Sequence, residues 1–317
     1  MDITNSIINY RRFLKRRNYS LHTVKNYMNM LRHFVLWLDV PVELTSNKKI
    51  EAYIDFLLDK RLKPKTINCH LGSIRVFYQY LYYEEGLRIA NPVKGGYSLR
   101  LPRPLPRHLN DDDIDRFFDA IKSCRDRAMF KLMLRCGLRV EEVDNLTVGA
   151  IDLKRKKLIV YNGKGSKDRV VYISNDALQA LRQYLNLRSS PRMKKVFLVE
   201  KGTCKGKPIS VRGIQKRMEY YAKKTGLKVS CHHLRHTMAT QLLNAEAELS
   251  TIQDLLGHNW ITTTQRYCKV SNLKVQRDYY KAMKVVMDRT ANGSKNELLQ
   301  KARSVKGLCM NKVPLDI

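Results

Sequence analysis

Six polar side chains spread over five segments have the types needed for metal-free attack on a phosphodiester: Arg139, Lys164, His232 with Arg235, His258 and Tyr267. Arg139 sits in Cys-Gly-Leu-Arg-Val-Glu-Glu and Lys164 in Asn-Gly-Lys-Gly-Ser-Lys. Residues 232–236 read His-His-Leu-Arg-His, His258 closes Leu-Leu-Gly-His, and Tyr267 follows nine residues later. Each guanidinium can bind a pair of phosphate oxygens and stays charged at any working pH, so the two together suit a pentacoordinate phosphorane. A lysine at a turn, flanked by glycines that let the backbone come close, can reach a leaving oxygen and protonate it. Lys167, three residues on, is a rival for that role. His232, Arg235 and His236 share one face of a helix near its N-terminus, a natural place for an anion. Tyr267 is one of 17 tyrosines. With a free phenol pKa of about 10, it needs neighbouring cations and a base to become a nucleophile. Arg266 and Lys269 flank it.

Other chemistries fit less well. Cys231, His232, His236, His258 and Cys268 have metal-ligating types but lack the paired ligand spacing of a zinc module. No Gly-x4-Gly-Lys-Ser/Thr loop occurs; the glycines around Lys164 and Lys207 fail that pattern. No acidic cluster offers a two-metal site. No metal and no cofactor are therefore expected, and a phosphodiester enzyme of this kind would conserve bond energy in a covalent intermediate.

The elements that must carry these groups can be read from periodicity and caps. Residues 1–90 read as helices throughout. Apolar residues recur at helical spacing from Ser20 to Leu38, with Ser20 as N-cap, from Ile50 to Leu58, and from Pro64 to Tyr83. Pro102, Pro104 and Pro106 exclude a helix interior, and Arg100, Arg103 and Arg107 lie among them. Asn110 and the three aspartates after it start a capped helix, and a second helix runs from Asp126 to Cys136. Leu158–Tyr161 and Val170–Ile173 are β-rich runs either side of the Lys164 turn, a hairpin. Helices are expected at about 175–187, 210–225, 233–245, 249–257 and 260–268. A late amphipathic helix carries Val275, Met283, Val286 and Met287, with Tyr279 and Tyr280 as packing residues. The tail beyond Asn292 is polar and basic.

Bulk properties agree with a polyanionic partner. The 317 residues carry 60 Lys+Arg against 29 Asp+Glu, a formal charge of +31, and both halves of the chain are basic. Each phosphate contact made by such a surface releases a counterion. The long low-complexity basic runs of ribosomal tails are missing. Seven cysteines without paired spacing imply free thiols in a reducing compartment. With no signal pattern and no long apolar run, the expected location is cytoplasmic, on DNA and off the membrane.

Taken in order, Gly-Leu-Arg139-Val-Glu-Glu142, Gly-Lys164-Gly-Ser-Lys167, His232-His-Leu-Arg235-His-Thr, Leu-Gly-His258 and Thr-Thr-Gln-Arg-Tyr267 resemble the catalytic boxes of the tyrosine recombinase family of phage integrases and Xer-like enzymes. Thr23–Leu38 and Thr66–Pro92 are similar to its N-terminal core-binding domain. The resemblance implies a mainly α fold with a small β-sheet (α+β). It divides the chain into a helical, SAM-like DNA-binding domain at 1–94, a Pro/Arg linker at 95–107, a catalytic domain at 108–290 and a basic C-terminal tail at 291–317. It further implies attack by Tyr267 leaving a 3′-phosphotyrosyl bond, and Arg139, Arg235 and His258 as transition-state stabilisers. Lys164 is then the general acid, His232 a proton acceptor or stabiliser, and Glu142 a buttress. Lys167 is assigned to DNA contact, and Arg100, Arg103 and Arg107 either lie along DNA or belong to an ordinary interdomain spacer. The implied assembly is a clamp on double-stranded DNA, a homotetramer on two recombination sites, with accessory DNA-bending proteins as further partners. One departure is visible: Cys268-Lys269 follows Tyr267 where many relatives place a histidine two residues on. Two other functions share some of these features: a type IB topoisomerase relaxing DNA as a monomer, and a non-catalytic DNA-binding regulator.

Overall fold

The computed structural model describes residues 3–102, 104, 107–161, 168–188, 192–257, 264–265 and 279–287. The chain divides into two compact units, residues 1–104 and 105–317.

The first unit is helical: α1 (Ile3–Arg16), α2 (Leu21–Trp37), α3 (Asn47–Asp59) and α4 (Pro64–Tyr83). Local chemistry starts three of them. The Ser20 hydroxyl accepts from the Thr23 N–H, Ser46 does the same for Lys49, and Pro64 occupies the first turn of α4, where its missing donor costs nothing. α4 carries Ile67, Leu71, Ile74, Phe77, Tyr78 and Leu81 into a core shared with Tyr10, Leu14, Leu31, Phe34, Ile50 and Tyr53. Two of the phenols in that core find partners: Tyr78 donates to the Val42 carbonyl at 2.8 Å, and Tyr53 lies 3.0 Å from His70 Nδ1. The α3 helix begins three residues before Ile50 because Ser46 caps it. Past α4, residues 95–97 form a 3-10 turn. Asn68 then holds Leu99 through both its backbone groups, at 2.8 and 2.9 Å, against this unit. Arg100 and Arg107 are exposed; Arg103 lies outside the described residues.

The second unit holds α5 (Asp111–Asp119), α6 (Cys124–Arg135), α7 (Val140–Asn145), β1 (Ile151–Asp152), β2 (Lys157–Val160), β3 (Arg169–Tyr172), α8 (Asn175–Leu187), α9 (Val211–Thr225), α10 (Cys231–Asn244) and α11 (Leu249–Leu256). It is thus mostly helical with one small antiparallel sheet, in the order β1-β2-β3. The two-residue β1 is too short to show a period and was not foreseen. α6 is the central helix, burying Ala128, Met129, Phe130, Leu132, Met133 and Leu134. It starts two residues ahead of Asp126 because Ser123 is its N-cap. Asp126 is fully buried and accepts from Arg125, from Arg217 Nε at 2.7 Å and from Tyr221 at 3.0 Å, tying α6 to α9. α10 likewise starts at Cys231, capped by Ser230, so His232 falls inside the first turn of that helix instead of before it. Residues 279–287 are helical, but Tyr279 and Tyr280 are exposed, not packed. A helical period marks an apolar stripe without saying which surface covers it. No described helix is long and apolar enough to cross a membrane.

Candidate active site

The site forms where α6 stops. Cys136 caps the helix and Gly137 turns it with φ +64°. Its left-handed backbone favours glycine, and a Cβ there would press on Met238 Sδ at 2.6 Å. Two residues on, Arg139 precedes α7. Its backbone N–H donates to Glu142 Oε2 at 2.8 Å and its Nη1 to Oε1 at 2.7 Å. Its Nη2 reaches the Gly257 carbonyl at 3.2 Å. Arg235, one turn beyond His232 on α10 and buried, donates to the carbonyls of Gly137 and Leu256. Arg139 with Glu142, three residues apart, and Arg235, far along the chain, therefore meet at the C-terminal end of α11.

That helix end has a full account of its backbone groups. An α-helix leaves its last four carbonyls without intrahelical donors. In α11 the Gly257 N–H serves Gln253 and Asp254, Arg169 Nε donates to Leu255 at 2.9 Å, and Arg235 serves Leu256. Guanidiniums also complement the negative end of the helix dipole. Gly257, at φ +60°, permits this crowding, since a Cβ there would sit 3.0 Å from Arg169 Cδ.

Glu142 is the counter-charge. Its two oxygens accept from Arg139 and also from Arg169 Nη1 at 2.8 Å and Nη2 at 2.7 Å. Burial would raise its carboxyl, but the hydrogen bonds and charge of Arg169, followed by those of Arg139, overcome this and hold it down at about 2. Two guanidiniums, Arg139 and Arg169, thus share one carboxylate, with the guanidinium of Arg235 at the same helix end. Around His232 the surrounding protein, then the charge of Arg235 and later that of Arg139, lower the imidazole below its ordinary value, partly opposed by Glu141. A neutral imidazole is the form that accepts a proton. Cys136 and Cys231 are buried thiols pushed up by burial to about 12 and about 11, the inert form.

Arg169 was missed in the sequence. Beginning the strand at Val170 left it in the turn, whereas alternation puts residues 169 and 171 on the same, inward face of β3. Lys164, Lys167, His258 and Tyr267 lie outside the described residues. Lys164 and Lys167 belong to the connection from β2 to β3, and His258 follows Gly257 directly. Among the described residues no group of three or more His, Cys, Asp or Glu side chains could hold a metal. His236 is half-buried on α10.

A mostly helical unit with a small antiparallel sheet thus gathers three arginines at one helix end, groups of the type that pair with phosphate oxygens. Comparisons with known proteins carry this further. Residues 107–274 match the phage integrase family and residues 7–86 the phage integrase N-terminal SAM-like domain. The chain is 35% identical to the tyrosine recombinase XerC of Thermodesulfovibrio yellowstonii, over 79% of this chain and 86% of that one. It is 31% identical to XerC of Staphylococcus haemolyticus, over 84% and 92%. Among solved structures it resembles XerA recombinase, with TM-score 0.51, 25% identity and coverage of 88% of this chain and 98% of that one. A lambda integrase dimer bound to a COC′ core site matches with TM-score 0.69 at 19% identity, over 84% and 95%, a likeness of fold. The chain belongs to the phage integrase family of tyrosine recombinases, enzymes that cleave and rejoin DNA strands.

Proposed function

We propose that this chain is a site-specific recombinase that cuts each strand through a 3′-phosphotyrosyl intermediate and needs neither metal nor ATP. The observation that carries the reading is the convergence of Arg139 and Arg235 on the end of α11, immediately before His258 in sequence. Tyr267 gives its proton to His232 and its phenolic oxygen bonds to phosphorus. The bond from phosphorus to the 5′-oxygen breaks, and Lys164 protonates that oxygen. Arg139, Arg235 and His258 bear the added negative charge of the phosphorane, while Glu142 steadies Arg139. Rejoining is the reverse, with a 5′-hydroxyl from the partner strand as nucleophile.

The same reading keeps residues 1–94 as a DNA-binding domain, 95–107 as a linker, 108–290 as the catalytic domain and 291–317 as a basic tail. Lys167, Arg100, Arg103 and Arg107 contact phosphates. Four copies act on two sites in the cytoplasm, with DNA-bending accessory proteins. The XerC relatives favour strand exchange over simple relaxation or a non-catalytic role. A nicked DNA substrate that lets the cleaved end diffuse away tests the chemistry. With chelator present and ATP absent, the wild type accumulates a covalent protein–DNA adduct and Tyr267→Phe accumulates none. An adduct formed by the variant rejects the nucleophile.

A further inference from the structure

Arg169 belongs to none of the motif boxes, yet it sits at the centre of the arginine cluster. Its Nη1 and Nη2 clasp the two oxygens of Glu142, and its Nε caps Leu255 of α11. One side chain thus joins β3 to α7 and to α11. We propose that Arg169 is a positioning residue for strand cleavage: by clamping Glu142 it sets the guanidinium of Arg139 for the scissile phosphate. This rests on the proposed role of Arg139 as a phosphate ligand.

The geometry gives Arg169 little else to do. All three of its nitrogens are engaged with protein, and its side chain is 9% exposed, so it is not itself placed to take a phosphate. Its cost of burial is offset by the paired carboxylate. Arg139 and its own backbone N–H approach the same two oxygens of Glu142 from α7. Without a partner on the other side, that carboxylate can rotate and carry Arg139 with it. A second fork on the same oxygens removes this freedom, as bidentate arginine–carboxylate pairs do. The Nε bond to Leu255 then fixes the clamp to the helix end that Arg139 and Arg235 also hold. Gly257 completes the device by leaving room for the arginine stem.

The test is a cycle of variants in the full chain: Arg169→Met, Arg169→Lys, Arg139→Ala and the double Arg139→Ala/Arg169→Met. Single-turnover adduct formation on the nicked substrate is measured at saturating protein and expressed per folded molecule, alongside the DNA dissociation constant and the melting temperature. Arg169→Met is expected to slow adduct formation about 100-fold, the scale of a misplaced catalytic group, with DNA affinity changed less than about twofold. Arg169→Lys, which keeps the charge and loses the fork, recovers part of that rate. The double variant is no slower than Arg139→Ala alone, because Arg169 acts through Arg139. Should Arg169→Met not fold, Arg169→Lys carries the test with about a 10-fold loss at unchanged affinity. An unchanged rate per folded molecule, a rate loss matched by equal loss of DNA affinity, or losses that multiply in the double variant each overturn the proposal. Failure of the underlying phosphotyrosyl reading shows separately, as an adduct formed by Tyr267→Phe.

Discussion

The catalytic unit contains two buried carboxylates, each held between two arginines, and they behave as opposites. Asp126 receives Arg125, Arg217 and Tyr221, and the Arg217 guanidinium is covered by the rings of Tyr220 and Tyr221 at 4.8 and 5.0 Å. Arg125 also lies 3.8 Å from Glu200, so here two guanidiniums meet two carboxylates. Glu142 receives both Arg139 and Arg169, two guanidiniums on one carboxylate, and Arg235 stands at the same helix end, donating to the carbonyls of Gly137 and Leu256. One assembly neutralises itself and locks two helices. The other gathers more positive charge than it cancels, at the end of a helix where His258 follows. An ion pair in itself therefore says little about function; the charge left over says more.

Breaking each assembly separates these roles. The largest effect expected is on stability: Asp126→Ala leaves Arg125 and Arg217 without their shared counter-charge, and removal of one partner from a buried pair costs about 3–5 kcal/mol. Urea unfolding measures it. Adduct formation per folded molecule should stay near wild type, and a large fall would mean that this assembly also shapes the site. Arg139→Ala inverts the pattern. Its adduct rate should fall by roughly 100- to 1,000-fold, the usual cost of a lost transition-state donor, with a melting temperature close to wild type.

Smaller effects follow from titration. The Glu142 carboxyl is held at about 2 against an ordinary 4.5, so the unfolded chain binds the proton more readily. The stability from this group is complete above pH 4.5 and is lost as pH falls towards 2. Wild type should thus lose stability more steeply than Glu142→Gln across that window in acid unfolding, and parallel curves would break the assignment. His232 is also lowered from 6.5, chiefly by desolvation and by Arg235. It therefore stays neutral at pH 6.5 and above, and the acid limb of the cleavage rate should lie below pH 6.5 and vanish in His232→Gln. The smallest change is in binding: Arg107→Ala should weaken DNA affinity alike for all sequences and lower the salt slope by about 1. A slope unchanged in titrations at several salt concentrations removes Arg107 from the contact surface.

Much of the architecture was legible before any coordinates. Ser20 caps α2 and the Asn110 cap with its following aspartates starts α5, both as expected, while the caps at Ser46, Ser123, Ser210 and Ser230 were not read. The starts of α3, α6 and α10 were read late, because apolar periodicity begins a turn inside the cap. The hairpin was visible from its β-branched runs, but its third strand was not. Tyr279 and Tyr280 show the limit of pattern: helical spacing does not state whether a ring is covered.

The sequence by itself determined the class of enzyme, because residue types in a set order and spacing are a one-dimensional property. It also carried the helices, whose caps and apolar stripes are local. Tertiary structure alone decided which charges cancel. Arg169 contacts Glu142 from 27 residues away and Leu255 from 86, while Arg125 and Arg217 spend themselves on Asp126. A guanidinium has the same letter whether it is exposed, neutralised or aimed at a phosphate. Only the packing of β3, α7 and α11 around two glycine turns distinguishes these fates.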